Sequence, residues 1–250
     1  MALLEYKYYF PMKYLDSLRQ DILPFLEYDP HIDILGKKEY TVRSIYLDSK
    51  GLQTYYEKEA GIKNRNKYRI RGYDELTEDS IVFLEIKRKE NEYITKSRAL
   101  LLYSDLERFF RTKDFSLIKN SNDNQEGVED ARKFMFYYCL NNLRPAVVVT
   151  YDREAFECKF GSGLRITLDK NVRTKNTDSL NELFIDENMT CSFNDHFVLE
   201  VKFKKLIPSW LPTVLRKYNI MRGSVSKYLL STDAVSNDCF NNPLTQGNIL

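Results

Sequence analysis

A chain of 250 residues, 43% hydrophobic and 30% charged, is long enough to bury a sizeable core in one domain and has ordinary globular composition. Its net charge of +2 excludes a coat of basic charge for nucleic acid, so any polyanion site must come from local concentration of Lys and Arg. Apolar runs such as 146–149 are far too short for a bilayer, and the N-terminus carries no basic region followed by a long apolar one, so a cytoplasmic protein without membrane insertion is expected.

In chain order, alternation with period two predicts a strand over 3–10, and a stripe of Leu15, Leu18 and Ile22 predicts a helix over 12–23. Strands follow over 40–48, 66–73, 81–89 and 93–103, then helices over 104–112 and 128–142 with a polar loop over 120–127 between them. Strands over 146–158 and 163–169 are joined by Gly161-Ser162-Gly163, which reads as a hairpin turn because no helix pattern follows it. A strand over 197–204 and a helix over 209–219 complete the set. The expectation is one domain over 1–230 and a poorly ordered tail over 231–250, rich in Asn with Pro243 and Gly247. Cys139, Cys158, Cys191 and Cys239 are too scattered for a zinc site or a disulfide frame.

Side chains two apart in a strand share a face, so each strand separates into two chemical surfaces. One face of 67–73 carries Lys67, Arg69, Arg71 and Tyr73 against Tyr68 and Ile70, and 82–89 sets Phe83, Glu85, Lys87 and Lys89 against Val82, Leu84, Ile86 and, breaking the pattern, Arg88. The arrangement recurs in Glu5 and Lys7, in Lys96 and Arg98, in Tyr151 and Arg153, in Arg165, Thr167 and Asp169, and in Glu200 and Lys202. Any one such face is what the solvated side of a sheet shows. Together, Lys7, Arg69, Arg71, Lys87, Lys96, Arg98, Arg153, Arg165 and Lys202 stand against Glu5, Glu85, Asp169 and Glu200, nine cations to four carboxylates in a chain of net +2. If these faces line a closed antiparallel barrel with helices outside, cations about 7 Å apart repel by about 2 kcal/mol per pair at an effective dielectric of 20, and the interior demands an anion. A phosphate chain with Mg²⁺ or Mn²⁺ matches that donor set, since Lys and Arg bond phosphate oxygens and inward carboxylates hold a bridging cation.

Glu5-Tyr6-Lys7-Tyr8, Ser44-Ile45-Tyr46-Leu47-Asp48, Lys67-Tyr68-Arg69-Ile70-Arg71-Gly72-Tyr73 and Phe83-Leu84-Glu85-Ile86-Lys87 come in an order that resembles a known family. Lys96-Ser97-Arg98, Tyr151-Asp152-Arg153, Leu164-Arg165-Ile166-Thr167-Leu168-Asp169, Leu199-Glu200-Val201-Lys202 and Ser226-Lys227-Tyr228 continue it. The chain resembles, over about 3–230, the catalytic domain of the vacuolar transporter chaperone polyphosphate polymerases, within the triphosphate tunnel metalloenzyme superfamily. The resemblance implies an α+β fold with an eight-stranded antiparallel barrel, and transfer of the terminal phosphoryl of ATP to a growing polyphosphate chain. It implies that Lys7, Arg69, Arg71, Lys87, Lys96, Arg153, Arg165 and Lys227 contact phosphates and that Glu200 holds Mn²⁺ or Mg²⁺. Glu5, Lys67, Glu85, Arg98, Tyr151 and Lys202, on the same faces, are expected to line the substrate. Two positions depart from the pattern: Leu3 stands where the wider superfamily has a Glu, and Ser224 where a basic residue is common, with Arg222 nearby.

His31 and His196 are the only histidines, and His196 is read as structural because an anionic phosphate acceptor needs no general base. Tyr6, Tyr46, Tyr73 and Tyr151 are candidates to stack a base or bond a phosphate, and equally half-buried strand residues. Three functions compete. A transferase fits the cation excess, a triphosphate hydrolase would need more inward carboxylates, and a polyphosphate-binding module would need no turnover.

Overall fold

The computed structural model describes residues 4–30, 36–91, 93–119, 126–193, 195–204 and 206–241, with no side chains beyond residue 236. They form two compact units. The first comprises Met1–Thr41, Tyr151–Val172 and Phe193–Ser226, and the second Val42–Thr150, Arg173–Ser192 and Lys227–Leu250.

In the first unit the strands run in the order β1 (Leu4–Pro11), β10 (His196–Phe203), β8 (Arg165–Asn176) and β7 (Arg144–Cys158), with the short β2 (Leu26–Tyr28) added on β7. In the second the order is β7, β3 (Tyr40–Asp48), β4 (Arg65–Tyr73), β5 (Ile81–Glu90) and β6 (Tyr93–Leu102), with β9 (Thr190–Phe193) on β8. The pairs β1–β10, β10–β8, β3–β4, β4–β5 and β5–β6 are antiparallel. The expected α+β class is what the chain forms, with antiparallel strand pairs in each unit and helices against their apolar faces.

Each unit has its own core, built from the apolar half of the alternation. In the first, Phe10, Ile166, Leu168, Phe197, Leu199 and Val201 pack with Leu18 and Ile22 of α1 (Leu15–Ile22) and Leu211 and Val214 of α5 (Trp210–Arg216). In the second, Ile45, Leu47, Ile70, Leu84, Ile86 and Leu101 pack with Leu106 and Phe109 of α3 (Leu106–Thr112) and Phe134 and Met135 of α4 (Glu126–Leu140). In β1, β4, β5 and β10 this leaves Glu5 and Lys7, Arg69 and Arg71, Glu85 and Lys87, and Glu200 and Lys202 on the opposite face, whereas Arg43 of β3, Glu154 of β7 and Lys170 of β8 stand with the apolar set.

The elements that differ from expectation lack an apolar period. The helix α2 (Gln53–Glu59) starts where Asp48 accepts hydrogen bonds from the Thr54 and Tyr55 backbone amides, at 2.9 and 3.0 Å. Residues Lys227–Asn241 form α6, a helix not expected from the sequence, whose Tyr228, Ser231, Thr232 and Val235 are buried at helical spacing. Two of those four are small polar residues, which hides the stripe from hydropathy. Residues 242–250, like Leu3, His31 and most of the 120–127 loop, lie outside the described residues. Strand β8 runs to Asn176, beyond the expected end at 169, through Lys170, which pairs with Glu154 at 2.7 Å and Glu39 at 2.6 Å. Gly161 and Gly163 have φ of 66° and 70° in the β7–β8 turn, a conformation that glycine adopts without strain.

Candidate functional site

Strand register arranges the charged faces in rows. In the second unit Lys67, Lys87 and Lys96 stand abreast on β4, β5 and β6, the next row is Arg69, Glu85 and Arg98, and the next is Arg71, Phe83 and Leu100. One carboxylate anchors the group. Glu85, 1% exposed, binds Arg69 Nη2 at 2.6 Å, Lys96 Nζ at 2.5 Å and Arg98 Nε at 3.3 Å. Burial alone would raise the Glu85 carboxyl, but Arg69, Arg71 and Lys96 outweigh it and hold it well below the carboxylate range.

Two further elements complete this cluster. Ser44 of β3 accepts from Arg71 Nε at 3.2 Å, and the Tyr46 hydroxyl accepts from Arg69 at 3.3 Å. Burial pushes Tyr46 up, yet Arg69, Arg71 and Lys227 together bring its pKa below the ordinary value. Helix α6 supplies Lys227, 7% exposed, and Tyr228, whose ring stacks on Tyr46 at 4.9 Å and whose hydroxyl donates to Asp48 at 2.5 Å. Lys227 was legible only through the family resemblance, and the supporting Ser44 and Asp48 carry no signal of their own. At the other side Arg98 lies 3.5 Å over the Phe83 ring and donates to the Tyr73 hydroxyl at 3.3 Å. Arg69, Arg71, Lys96, Arg98 and Lys227 thus converge on one carboxylate and one phenol, with Lys67 and Lys87 in the adjoining row.

The first unit is different, because its rows alternate in sign. Glu5, Lys202 and Arg165 form one row, Lys7, Glu200 and Thr167 the next, and Tyr9, Val198 and Asp169 the third. Lys7 Nζ lies 3.2 Å from Glu5 and 3.0 Å from Glu200, and Glu200 also faces Lys202 at 3.5 Å and Arg153 at 3.6 Å. Arg153 makes a bidentate pair with Asp169 at 2.6 and 2.7 Å, with its guanidinium 5.2 Å from the buried Tyr151 ring. Burial opposes the charge of Lys7, but Glu200 and Glu5 raise its pKa above the usual lysine value. Burial lowers that of Lys202, with Arg153 adding to the effect against Glu200. Arg165 sits at the margin, 52% exposed, bonded to Asp29 and to Glu157.

Arg222 does not enter this cluster. Its guanidinium lies 4.2 Å from the Tyr6 ring, and Tyr6 packs on Phe203 on the apolar face of β1, opposite Glu5 and Lys7. The cation excess counted along the chain is therefore unevenly shared. Lys7, Arg153, Arg165 and Lys202 are matched by Glu5, Glu200, Asp169, Asp29 and Glu157, whereas Arg69, Lys96 and Arg98 of the second cluster share Glu85.

Among the described residues no three His, Cys, Asp or Glu side chains are gathered closely enough to hold a metal on their own. The first cluster suits a cation that completes its shell from the substrate. Hard divalent ions are commonly bound by one or two carboxylates plus phosphate oxygens, and Glu200 and Glu5 lie within 3.2 Å of a common point, the Lys7 ammonium. Beside them the Thr167 hydroxyl is buried without a hydrogen-bond partner among the described residues, another oxygen for a polar ligand.

Lys96 gives this site a pH signature. Burial lowers its pKa, and although Glu85 opposes this, Arg69 and Arg98 add to it and leave Lys96 pushed down to about 8. Because the folded value lies below the unfolded 10.5, charged Lys96 costs stability below about pH 8, and that cost fades as pH climbs from 8 towards 10.5. Anion binding carries the opposite sign, since it favours the ammonium. Tripolyphosphate affinity should hold below pH 8 and fall as pH rises from 8 to 10, and Lys96→Arg should flatten the profile. An unchanged slope in the variant, followed by titration calorimetry, would assign the dependence elsewhere.

The model of the VTC domain matches residues 3–236 of the chain. Among solved structures, HpAC1 from Hippeastrum, titled an adenylyl cyclase with a dominant triphosphatase activity, is 13% identical, with 94% of this chain and 97% of that chain covered at a TM-score of 0.50. The PH1819 protein from Pyrococcus horikoshii OT3 is 14% identical, covering 91% of this chain and 96% of that one at 0.45. A Vibrio parahaemolyticus protein titled as an adenylate cyclase is 10% identical, covering 92% and 98% at 0.44. No curated protein matches. At such identities the likeness to HpAC1 speaks for a shared fold alone. The family match runs through both charged clusters, from β1 into α6, and on that extent the chain belongs to the VTC domain family.

Proposed function

We propose that this chain is a polyphosphate polymerase, transferring the terminal phosphoryl of ATP to the end of an inorganic polyphosphate chain. The observation that carries this reading is the second cluster, where Arg69, Arg71, Lys96, Arg98 and Lys227 converge around Glu85 and Tyr46 with Lys67 and Lys87 abreast beside them. Lys and Arg side chains gathered this closely offer many donors to a compact polyanion, and a run of phosphates supplies one oxygen set after another.

The reaction makes modest demands on the protein. An anionic oxygen of the chain end attacks the γ-phosphorus in line, the bond from that phosphorus to the bridging oxygen breaks, and ADP leaves with the electron pair. No proton has to be removed from the nucleophile, so positioning and charge neutralisation supply the rate. In the second unit Arg69, Arg71, Lys96 and Lys227 neutralise phosphate oxygens, with Lys87 and Arg98 alongside; within the first unit Lys7, Arg153 and Lys202 are suited to the same role. Glu200, with Glu5, would hold Mn²⁺ or Mg²⁺, which when bound supplies further charge neutralisation to phosphate oxygens. Glu5, Glu200, Asp169 and Glu85 each have a Lys or Arg nitrogen within 3.2 Å, which disfavours their use as bases that activate water and favours transfer over hydrolysis.

Incubation with ATP and Mn²⁺, followed by separation of polyphosphate, free phosphate and ADP, tests this directly. Polyphosphate with ADP is expected. Free phosphate with ADP alone would make the protein a hydrolase, and intact ATP with retained binding would make it a binding module. Tripolyphosphate should also raise the melting temperature by several degrees where chloride of equal ionic strength does not, since a ligand at a hundredfold excess over Kd stabilises by about 2.7 kcal/mol. Equal responses to both salts would argue against a polyanion site.

A further inference from the structure

Along the charged face of the first unit, the chemistry changes from ionic to aromatic. Beyond the row of Lys7, Glu200 and Thr167, the same face of β1 carries Tyr9 and the same face of β10 carries His196. These two rings stack nearly parallel, with centroids 4.3 Å apart and planes 3° from one another. Phe193 braces Tyr9 edge-on at 5.4 Å, and Asp195 Oδ1 lies 2.8 Å from His196 Nδ1, which fixes the plane of the imidazole. The His196 side chain nevertheless stays 27% exposed, and among the described residues no second ring stacks on it.

We propose that Tyr9 and His196 form a stacking platform for the nucleobase of the nucleoside triphosphate, with His196 presenting the free face. The proposal rests on the reading of the site as one for ATP. Residues two apart on one strand face are about 7 Å apart. That step separates Tyr9 from Lys7 and matches the reach from a 5′-phosphate across the ribose to a base. A flat base accepts a stacked ring on either face whatever its hydrogen-bonding edge, so the platform recognises nucleotides as a class over bare polyphosphate. The comparable ring of the second cluster, Phe83, is less suited, because the Arg98 guanidinium lies on it at 3.5 Å and Tyr73 closes on it edge-on. The platform would distinguish the incoming nucleotide, which has a base, from the polyphosphate product, which has none.

The test measures ATP and tripolyphosphate affinities side by side by titration calorimetry for the full chain, His196→Ala and His196→Phe. His196→Ala should weaken ATP about tenfold and leave tripolyphosphate unchanged, the loss expected when one stacking partner is removed. His196→Phe, which keeps the ring and loses the Asp195 contact, should retain most of the ATP affinity. Equal weakening of both ligands, or no change in either, overturns the platform while leaving the phosphate site intact. If the unaltered chain binds neither ligand, the triphosphate reading fails and the platform with it. If His196→Ala does not fold, the unaltered chain decides by the ratio of its affinities for ATP and for ribose 5-triphosphate. A ratio near one overturns the proposal.

Discussion

Glu85→Gln is expected to destabilise the ligand-free protein by about 3 kcal/mol and at the same time to tighten its grip on tripolyphosphate. Glu85 is the buried carboxylate that Arg69, Lys96 and Arg98 share, and removing one partner of a buried ionic group leaves the others uncompensated. Gln keeps the shape and loses the charge, so the change isolates electrostatics from packing. In a chain of this size the melting temperature should fall by roughly 10 °C. A saturating polyanion should restore most of that, because phosphate oxygens can take the place of the missing carboxylate. The pH dependence follows from the depressed Glu85 pKa. Its stabilisation is present above the ordinary glutamate value near 4.5 and is lost as pH falls through the lower folded value, so the variant should lose less stability on acidification than the unaltered chain. A variant that is as stable as the original and binds tripolyphosphate more weakly would show that Glu85 acts as a ligand and not as a counter-ion.

The second large effect concerns Glu200, where catalysis and structure can be separated. If Glu200 anchors the divalent ion, Glu200→Gln removes charge that matters more as the phosphoryl group transfers than in the bound ground state. Turnover per folded molecule should fall by about two orders of magnitude, while metal-free tripolyphosphate binds equally well or better. The surroundings supply the competing account. Lys7, Lys202 and Arg153 all face this carboxylate, and its removal leaves Lys7 with Glu5 as its remaining described carboxylate. Were Glu200 only their counter-ion, the variant would melt earlier and activity would drop only with the folded fraction. Normal turnover in a well-folded variant would remove Glu200 from the metal site.

Both predictions depend on features that differ in how far they can be read from sequence. The separation of each strand into an apolar and a charged face was legible, because alternation is local and each charged residue in 67–73 or 82–89 declares its side by parity alone. The helices with apolar stripes were legible for the same reason. Helix α6 and strand β2 were not. The first buries Ser231 and Thr232 where a stripe would need Leu, and the second is three residues long, too short for a period.

Which side chains share a face, and that cations outnumber carboxylates there, follows from the order of residues along the chain. Who meets whom follows from the fold. Register across strands far apart in the chain sets Lys7 beside Glu200 and Arg69 beside Glu85, and it sets Arg69 and Arg98 on either side of Glu85 while alternating the signs of the rows in the first unit. It also sent Arg222 to the apolar face of β1 and brought Lys227 in on a helix that hydropathy hides. The physical reason is range. Periodicity is written in neighbours two to four residues apart, whereas pairing partners and the charge each side chain feels are set by backbone hydrogen bonds between segments that share no local signal.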